Sequence, residues 1–302
     1  LDLQKAFRAF FISGFGFPKF KKKGVKDSYT TNNQKGTVRV TASTIRLPKV
    51  GVIRAKVDRL PKGQIKNATV SKTSTGNYYV SVLVEEVIAS LPKIGNQVGI
   101  DLGLTHFAAL SDGSTISSPR EILAPYEKKL AKEQRTLSRR REVAKAEGRK
   151  LSESRNYQKQ RLKVAKLHER ITNIRHDFLH KLSSSLIKNH DVIAIEELNV
   201  KGMVKNKRLA RAISRSGWSM FAAMLNYKAD WYGRLLVKID RWFPSSKTCS
   251  NCGEKVDQLP LSIRTWTCNH CQTELDRDHN ASLNILCEGL RLVKQEPLVQ
   301  GG

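Results

Sequence analysis

The sequence predicts an α/β protein in which a small β-rich domain precedes a larger mixed domain. Short β-rich runs fill residues 36–84, and helical periodicity covers about 125–188. Four successive apolar residues at 192–195 are typical of a strand buried on both faces. Strands and long helices that share one chain in this way indicate an α/β fold.

The composition indicates a folded protein with a polyanionic partner. The 302 residues include 54 Lys and Arg against 27 Asp and Glu, a formal net charge of +27, and 39% are apolar. That apolar content excludes wholesale disorder, and the charge favours nucleic acid over an acidic membrane surface. No run approaches the roughly 18 apolar residues of a membrane span, and no signal-peptide core opens the chain, so we expect a cytoplasmic, nucleoid-associated protein without a membrane partner.

The opening residues are predicted to form a short helix. Apolar side chains recur at helical spacing between Leu3 and Ile12, and the segment 14–18 ends the pattern. Because the chain starts with Leu rather than Met, we interpret it as lacking an N-terminal portion.

A small β barrel is predicted over residues 21–94. Several short strands at close spacing favour a barrel, with one face of a larger sheet as the alternative. The last two runs flank a glycine-containing loop at 73–77 that is typical of a hairpin. The predicted strands are 36–40, 52–57, 68–72 and 78–84.

A second domain is predicted to begin near Gly95 with a β hairpin. Its strands cover 98–102 and 107–110. The helical stretch at about 125–188 bends at Gly148 into two antiparallel helices. The remaining predicted elements are a strand at 191–196, a helix at 218–232, a strand at 235–239 and a short helix at 281–286.

Basic residues concentrate in three segments of the chain. Residues 127–176 hold 17 Lys and Arg against 6 Asp and Glu. A solvated helix face is one explanation, but the imbalance of sign favours a track for phosphates. The candidate nucleic-acid-binding residues are Lys21, Lys22, Lys23, Arg139, Arg140, Arg141, Lys205, Lys207, Arg208 and Arg211.

Four of the five cysteines form two Cys-x-x-Cys pairs with fifteen residues between the pairs. This spacing is typical of a four-thiolate site with no open position, so we expect one structural zinc ion. Two disulfides or four unrelated thiols are the alternatives, which a reducing compartment disfavours. We expect His270 to be exposed and Cys287 to be a buried core thiol. The predicted ligands are Cys249, Cys252, Cys268 and Cys271.

Three carboxylates lie beside apolar segments. Asp101 interrupts a predicted strand, Glu196 ends another, and Asp278 precedes the helix at 281–286. Each has an ordinary explanation, as a turn former, a strand-end charge and a helix cap, with Asp276 an equal candidate for the cap. Together, in so basic a chain, they indicate carboxylates that converge on hard divalent cations, and two such ions about 4 Å apart would support phosphodiester hydrolysis.

Four short segments follow one another in a fixed order along the second domain. They are GIDLG at 99–103, IEELNVKGM at 195–203, FPSSKTCSNCG at 243–253 and DRDHNA at 276–281. In this order they closely resemble the TnpB (OrfB) proteins of bacterial insertion sequences, which are related to the compact type V CRISPR nucleases. The resemblance extends from about Lys5 to Leu290.

The resemblance implies a RuvC-type nuclease domain of RNase H-like fold, with a helical hairpin insertion and a zinc ribbon. It also implies that Asp101, Glu196 and Asp278 are the catalytic ligands, holding two Mg²⁺ or Mn²⁺ ions. The implied parts are a remnant of a helical recognition segment at 1–20, a wedge-like barrel at 21–94, the first part of the nuclease domain at 95–246 with its insertion at about 125–188, the zinc ribbon at 247–274, and the last part of the nuclease domain with a tail at 275–302.

The activity implied by the resemblance is RNA-guided, metal-dependent cleavage of DNA by a protein of a transposable element. The implied partners are a DNA target, a guide RNA from the element's end and the element's companion transposase. Two other interpretations are a nuclease-inactive or truncated nucleic-acid-binding remnant or regulator, and a strand-joining transposase. The complete set of acids favours hydrolysis, and the sequence has no motif for the tyrosine nucleophile of single-strand transposases.

Overall fold

The computed structural model describes residues 2–20 and 27–295. The chain divides into two compact units, Leu1–Val87 and Ile88–Gly302. The predicted nucleic-acid contacts Lys21, Lys22 and Lys23 lie outside the described residues. No helix in the described ranges combines the length and the apolar character needed to cross a membrane.

The described part of the first unit contains one α-helix and two small antiparallel sheets. Its elements are α1 (Asp2–Ser13), β1 (Ser28–Asn32), β2 (Arg39–Val40), β3 (Thr44–Leu47), β4 (Gly51–Arg54), β5 (Gln64–Lys72) and β6 (Tyr78–Glu85). The predicted helix is confirmed as α1. One sheet has the strand order β1-β5-β6 and the other β2-β3-β4. Side chains from both sheets, including Ile45, Leu47 and Ala68, are buried in one shared core.

The strand predicted at 36–40 is wrong over its first half. A single 3₁₀ turn occupies Gln34–Gly36. Lys35 has a φ of 52° and Gly36 a φ of 73°, and a backbone in the left-handed region cannot continue a β-strand. The run predicted at 52–57 is a strand only as far as Arg54. The runs at 68–72 and 78–84 are confirmed, because they form the paired hairpin of β5 and β6.

The second unit is built on a five-stranded mixed sheet. Its strands are β7 (Gln97–Leu102), β8 (Ala108–Leu110), β9 (Thr115–Ile116), β10 (Val192–Glu196) and β11 (Leu235–Ile239). They lie in the order β11-β10-β7-β8-β9, with β10 parallel to both of its neighbours and β8 antiparallel to β7. The strand predicted at 191–196 is confirmed as β10, and its position between two parallel strands explains its run of apolar residues.

Helices cover both faces of this sheet. They are α2 (Arg120–Ala146), α3 (Arg155–Asn189), α4 (Val200–Met203), α5 (Ala210–Ser216), α6 (Trp218–Tyr232) and α7 (Arg277–Gln295). Ile100 and Ile193 point toward the core formed with α3 and α6, whereas Ala194 packs with α7 on the opposite face. A Cβ atom on Gly99 would lie 2.1 Å from the carbonyl oxygen of Ser282, so α7 rests directly on the backbone of β7.

The predicted helical hairpin is confirmed as the pair α2 and α3. Gly148 lies between the two helices with a φ of 64°, as expected for the bend, although α2 begins ahead of the predicted start at 125. Leu123 and Leu130 of α2 share a small core with Val164 and Ile171 of α3.

The last helix differs from the prediction in its length and in one buried residue. It begins at Arg277 rather than at 281, so Asp278 lies in its first turn. Cys287 is exposed, and the prediction of a buried thiol there is wrong. The buried residues around it are Asn284, Ile285 and Gly289, and a residue two positions from Ile285 points to the other side of an α-helix.

Candidate functional site

The four paired cysteines form one compact cluster. Their sulfur atoms all lie within 4.8 Å of one another, and the Sγ atoms of Cys249 and Cys271, and of Cys252 and Cys268, are 3.6 Å apart. A tetrahedral zinc ion with Zn–S bonds of about 2.3 Å requires sulfur atoms about 3.8 Å apart. The donor set therefore fits one zinc ion with no coordination position left open.

Local structure supports the cysteine cluster. The strands β12 (Thr265–Thr267) and β13 (Glu274–Asp276) form a short hairpin around the second Cys-x-x-Cys pair. Trp266 is buried against Cys249, Cys268 and Leu275. His270 is exposed, as the sequence predicts. This arrangement gives the ribbon a small core of its own beside the sheet domain.

Asp101 and Glu196 lie at matching positions on two adjacent parallel strands. In the pairing of β7 with β10, Ile100 lies opposite Ile195, so the next residue on each strand is one of the two carboxylates. Both are therefore near the carboxyl ends of their strands. Open α/β sheets bind ligands at that edge.

Asp278 approaches the same edge from α7. The cap of this helix is Asp276, whose Oδ1 accepts a hydrogen bond of 2.8 Å from the backbone N–H of His279. Asp278 is thereby free of the capping role that the sequence left open between the two acids. Its carboxylate is paired with Arg264 of the ribbon at 3.2 Å.

Glu196 and Asp278 lie close enough to Asp101 to affect its ionisation. Burial, and then the negative charges of Glu196 and Asp278, raise the pKa of Asp101 from its ordinary value of 3.8 to about 7, against the opposing effect of Arg277 and Arg264. Burial also raises the pKa of Glu196, although a hydrogen bond from the hydroxyl of Ser245 opposes that rise. Carboxylates held together at this cost fit a cation, which favours their charged forms.

The three carboxylates are spaced more widely than the cysteines. Among the described residues, only the cysteine cluster has three or more ligand atoms within 4.8 Å of one another. A site for two metal ions would accommodate carboxylates at this wider spacing.

Sequence reasoning missed the two polar residues that contact these carboxylates. Ser245 donates to Glu196, and Arg264 contacts both Asp278 and the hydroxyl of Thr105, the latter at 3.3 Å. Both contacts join segments that are far apart in the sequence. The only signal available was their position, Ser245 within the FPSSK motif and Arg264 a few residues ahead of a cysteine pair.

The predicted nucleic-acid contacts are distributed over two surfaces of the second unit. Arg139 and Arg141 are exposed on α2, whereas the guanidinium of Arg140 donates to the carbonyl of Asn156 at 2.7 Å and thereby joins α2 to the start of α3. The remaining predicted residues are exposed near α4 and α5, namely Lys205, Lys207, Arg208 and Arg211.

Comparison with known families gives two matches along the chain. A family model described as "Probable transposase" (OrfB_IS605) matches residues 79–207. A second model, the TNB domain of Cas12f1-like proteins, matches residues 218–285. Together they cover the sheet strands and the cysteine ribbon.

Similar proteins are found along nearly the whole chain. A Streptomyces pristinaespiralis protein named "Putative RNA-guided DNA endonuclease" is 41% identical over 298 residues, which are 95% of this chain and 69% of that protein. Escherichia coli K12 InsQ, which carries the same description, is 34% identical over all of this chain and 75% of its own. A cryo-EM structure of a Cas12f1–sgRNA–target DNA complex shares the fold, with a TM-score of 0.58 at 16% identity over 94% of this chain and 69% of that chain. The identity and coverage of these relatives confirm the resemblance, and the chain belongs to the TnpB (OrfB) family.

Proposed function

We propose that this protein is an RNA-guided, divalent-metal-dependent DNA endonuclease of a transposable element. The observation that carries the proposal is the convergence of Asp101, Glu196 and Asp278 on one edge of the sheet. The names of the relatives and the fold shared with Cas12f1 agree with it. The five-stranded mixed sheet, with helices on both faces, is then the RNase H-like core of a RuvC-type nuclease, and the paired small sheets of the first unit are its barrel.

The three carboxylates have distinct places in this proposal. Two Mg²⁺ or Mn²⁺ ions, when bound, would supply an activated water and stabilise the leaving oxygen of a phosphodiester. Asp101, whose pKa both other carboxylates raise, would bind the ions together with them. Ser245 would orient Glu196, and Arg264 would orient Asp278, for binding the ions.

The cysteine ribbon is proposed to bind one structural zinc ion. Four thiolates satisfy the ion completely, so the ribbon would hold its shape without taking part in the reaction. Its contribution to the site is Arg264, which lies in the loop between the two cysteine pairs and contacts Asp278.

The proposed partners are a guide RNA from the element's end, a DNA target and the element's companion transposase. The charge of +27 and the exposed basic side chains of α2, α4 and α5 support nucleic-acid binding. The carboxyl edge of the sheet would receive the DNA strand to be cut.

A cleavage assay tests the proposal. Protein purified with its bound RNA is mixed with Mg²⁺ and a duplex that matches the RNA. We expect Asp101→Ala and Glu196→Ala to abolish cutting, whereas Glu197→Ala, which removes an exposed carboxylate one residue away, keeps it.

Three results would contradict the proposal. They are normal cutting by the Asp101 or Glu196 variant, tight binding of the duplex by the native protein without any cleavage, and joined strands in place of free ends. The second would indicate a nuclease-inactive binder, and the third a strand-joining transposase.

A further inference from the structure

A cavity of about 470 Å³ opens beside the carboxylate edge of the second unit. We call it the arginine cavity. Its walls are the first turns of α2, the later part of α3, α5 and the turn between β7 and β8. Its volume falls within the range of about 300–1,000 Å³ that is typical of pockets for small molecules.

Positive charge dominates the wall of the arginine cavity. Five arginines line it, with Glu127 as the sole acid. Glu127 is paired with Arg215 at 2.8 Å, and its charge also favours the charged form of Arg175, so one carboxylate faces five arginines. Arg120 lies in the first turn of α2, where the positive end of the helix dipole adds to its charge. The cavity therefore favours an anion.

Arg175 gives the most specific indication of a missing partner. Its Nε atom is buried and has no hydrogen-bond partner among the described residues. Burial lowers the pKa of this guanidinium, so the protein holds the charge there at a cost. Buried polar atoms are rarely left unsatisfied in folded proteins, and a phosphate oxygen is a natural acceptor for a guanidinium.

The floor of the arginine cavity is apolar. Leu104, Leu123 and Phe178 form part of it. An inorganic anion would gain nothing from such a floor, whereas a nucleotide combines a phosphate with a base that stacks on apolar and aromatic surfaces. The combination of charged wall and apolar floor thus matches a nucleotide.

We propose that the arginine cavity binds one nucleotide of the DNA strand that reaches the carboxylates, with its phosphate on Arg175 and its base on the floor. The choice of DNA rests on the proposed function and on position along β7. Leu104 follows Asp101 by three residues, which can span at most about 11 Å. A strand held in the cavity is therefore held close to the site of cutting.

The test measures DNA binding rather than cleavage. The probe is a fluorescein-labelled single strand of about twelve thymidines, titrated by anisotropy into the RNA-bound protein at several salt concentrations. We expect Arg175→Met to weaken binding about tenfold and to reduce the dependence of log Kd on log salt by about 0.7, the contribution of one phosphate contact. Ala212→Phe fills the cavity and should weaken binding similarly with an unchanged salt slope.

Controls separate this effect from misfolding and from general charge. Arg291→Met removes the same charge from an exposed site on α7 and should leave binding within about twofold. Arg175→Met should melt no lower than the native protein, because it removes a buried Nε atom that has no hydrogen-bond partner and keeps an apolar side chain of similar length.

Either of two outcomes would overturn the assignment. One is unchanged affinity for the oligothymidine in both cavity variants. The other is loss of the co-purified RNA from Arg175→Met, which would make the cavity an RNA site. If the native complex binds the oligothymidine through Arg175 yet cuts no matched duplex, the proposed function fails and the cavity assignment stands.

Discussion

Asp101→Asn should stabilise the metal-free protein while abolishing cleavage. The pKa of Asp101 is raised from 3.8 to about 7 by burial and by the neighbouring carboxylates. Between these two values the unfolded chain loses a proton that the folded protein keeps, so stability falls as pH rises from about 4 to about 7. A shift of about 3 units at 1.36 kcal/mol each gives a loss of at most about 4 kcal/mol. The side chain of Asn has the same shape as that of protonated Asp and does not ionise.

The assay is thermal unfolding of zinc-loaded protein, desalted into magnesium-free buffer, at several pH values. Each kcal/mol corresponds to about 2–4 °C in a domain of this size, so near pH 8 the variant should melt up to about 8–16 °C higher. Near pH 4 the two proteins should melt within about 2 °C of each other, because the folded protein keeps the Asp101 proton and only about half of the unfolded chains have lost it. Added Mg²⁺ should raise the melting temperature of the native protein only.

A matched control removes a different carboxylate from the same region. Asp112 is exposed, and a hydrogen bond from the hydroxyl of Ser114 lowers its pKa. Because a lowered pKa favours the charged form in the folded protein, Asp112→Asn should lower stability slightly above pH 4, by less than about 0.5 kcal/mol, and leave cleavage intact. The reasoning would be refuted if Asp101→Asn melted at or below the native temperature near pH 8.

Three further predictions concern the ribbon and the packing of α7. Removing zinc with a chelator that spares Mg²⁺ should abolish cleavage and the near-ultraviolet signal of Trp266, and restoring zinc should recover both; cleavage that survives zinc loss would contradict the structural role. Arg264→Gln should tighten Mn²⁺ binding by up to about fivefold, because the half-exposed ion pair competes for Asp278, and weaker binding in a titration would show that Arg264 supports the ion instead. Gly99→Ala should destabilise the protein by about 3 kcal/mol in denaturant unfolding, whereas Gly16→Ala, in open space, should be neutral; equal stability would place α7 farther from β7.

The sequence predicts best those features that depend on neighbouring residues. The spacing of the cysteine pairs predicts a single cluster because each knuckle is a local turn, and the apolar run at 192–195 predicts β10 because burial on both faces leaves no polar position. The placement of Asp101 beside Glu196 depends on strand register, which the sequence indicates only through the family resemblance.

The features that the sequence missed arise from contacts between distant segments. The exposed Cys287 lies in an apolar stretch, and only the packing of α7 shows which side of that helix is covered. Arg264 resembles any basic residue of a ribbon until its contacts with Asp278 and Thr105 are seen. The turn at Lys35 depends on backbone angles that β propensity does not predict.

The contact of Arg264 with Asp278 and Thr105 links the proposed zinc site of the ribbon to the proposed magnesium or manganese site of the three acids. Cells regulate their supplies of these metals separately. In the proposed function, the ribbon that carries Arg264 would be held by zinc, whereas the three acids would bind Mg²⁺ or Mn²⁺. A cell short of zinc would then produce a chain whose proposed metal-dependent cleavage is impaired even when magnesium is plentiful. Zinc supply would in this way limit the proposed cleavage of DNA.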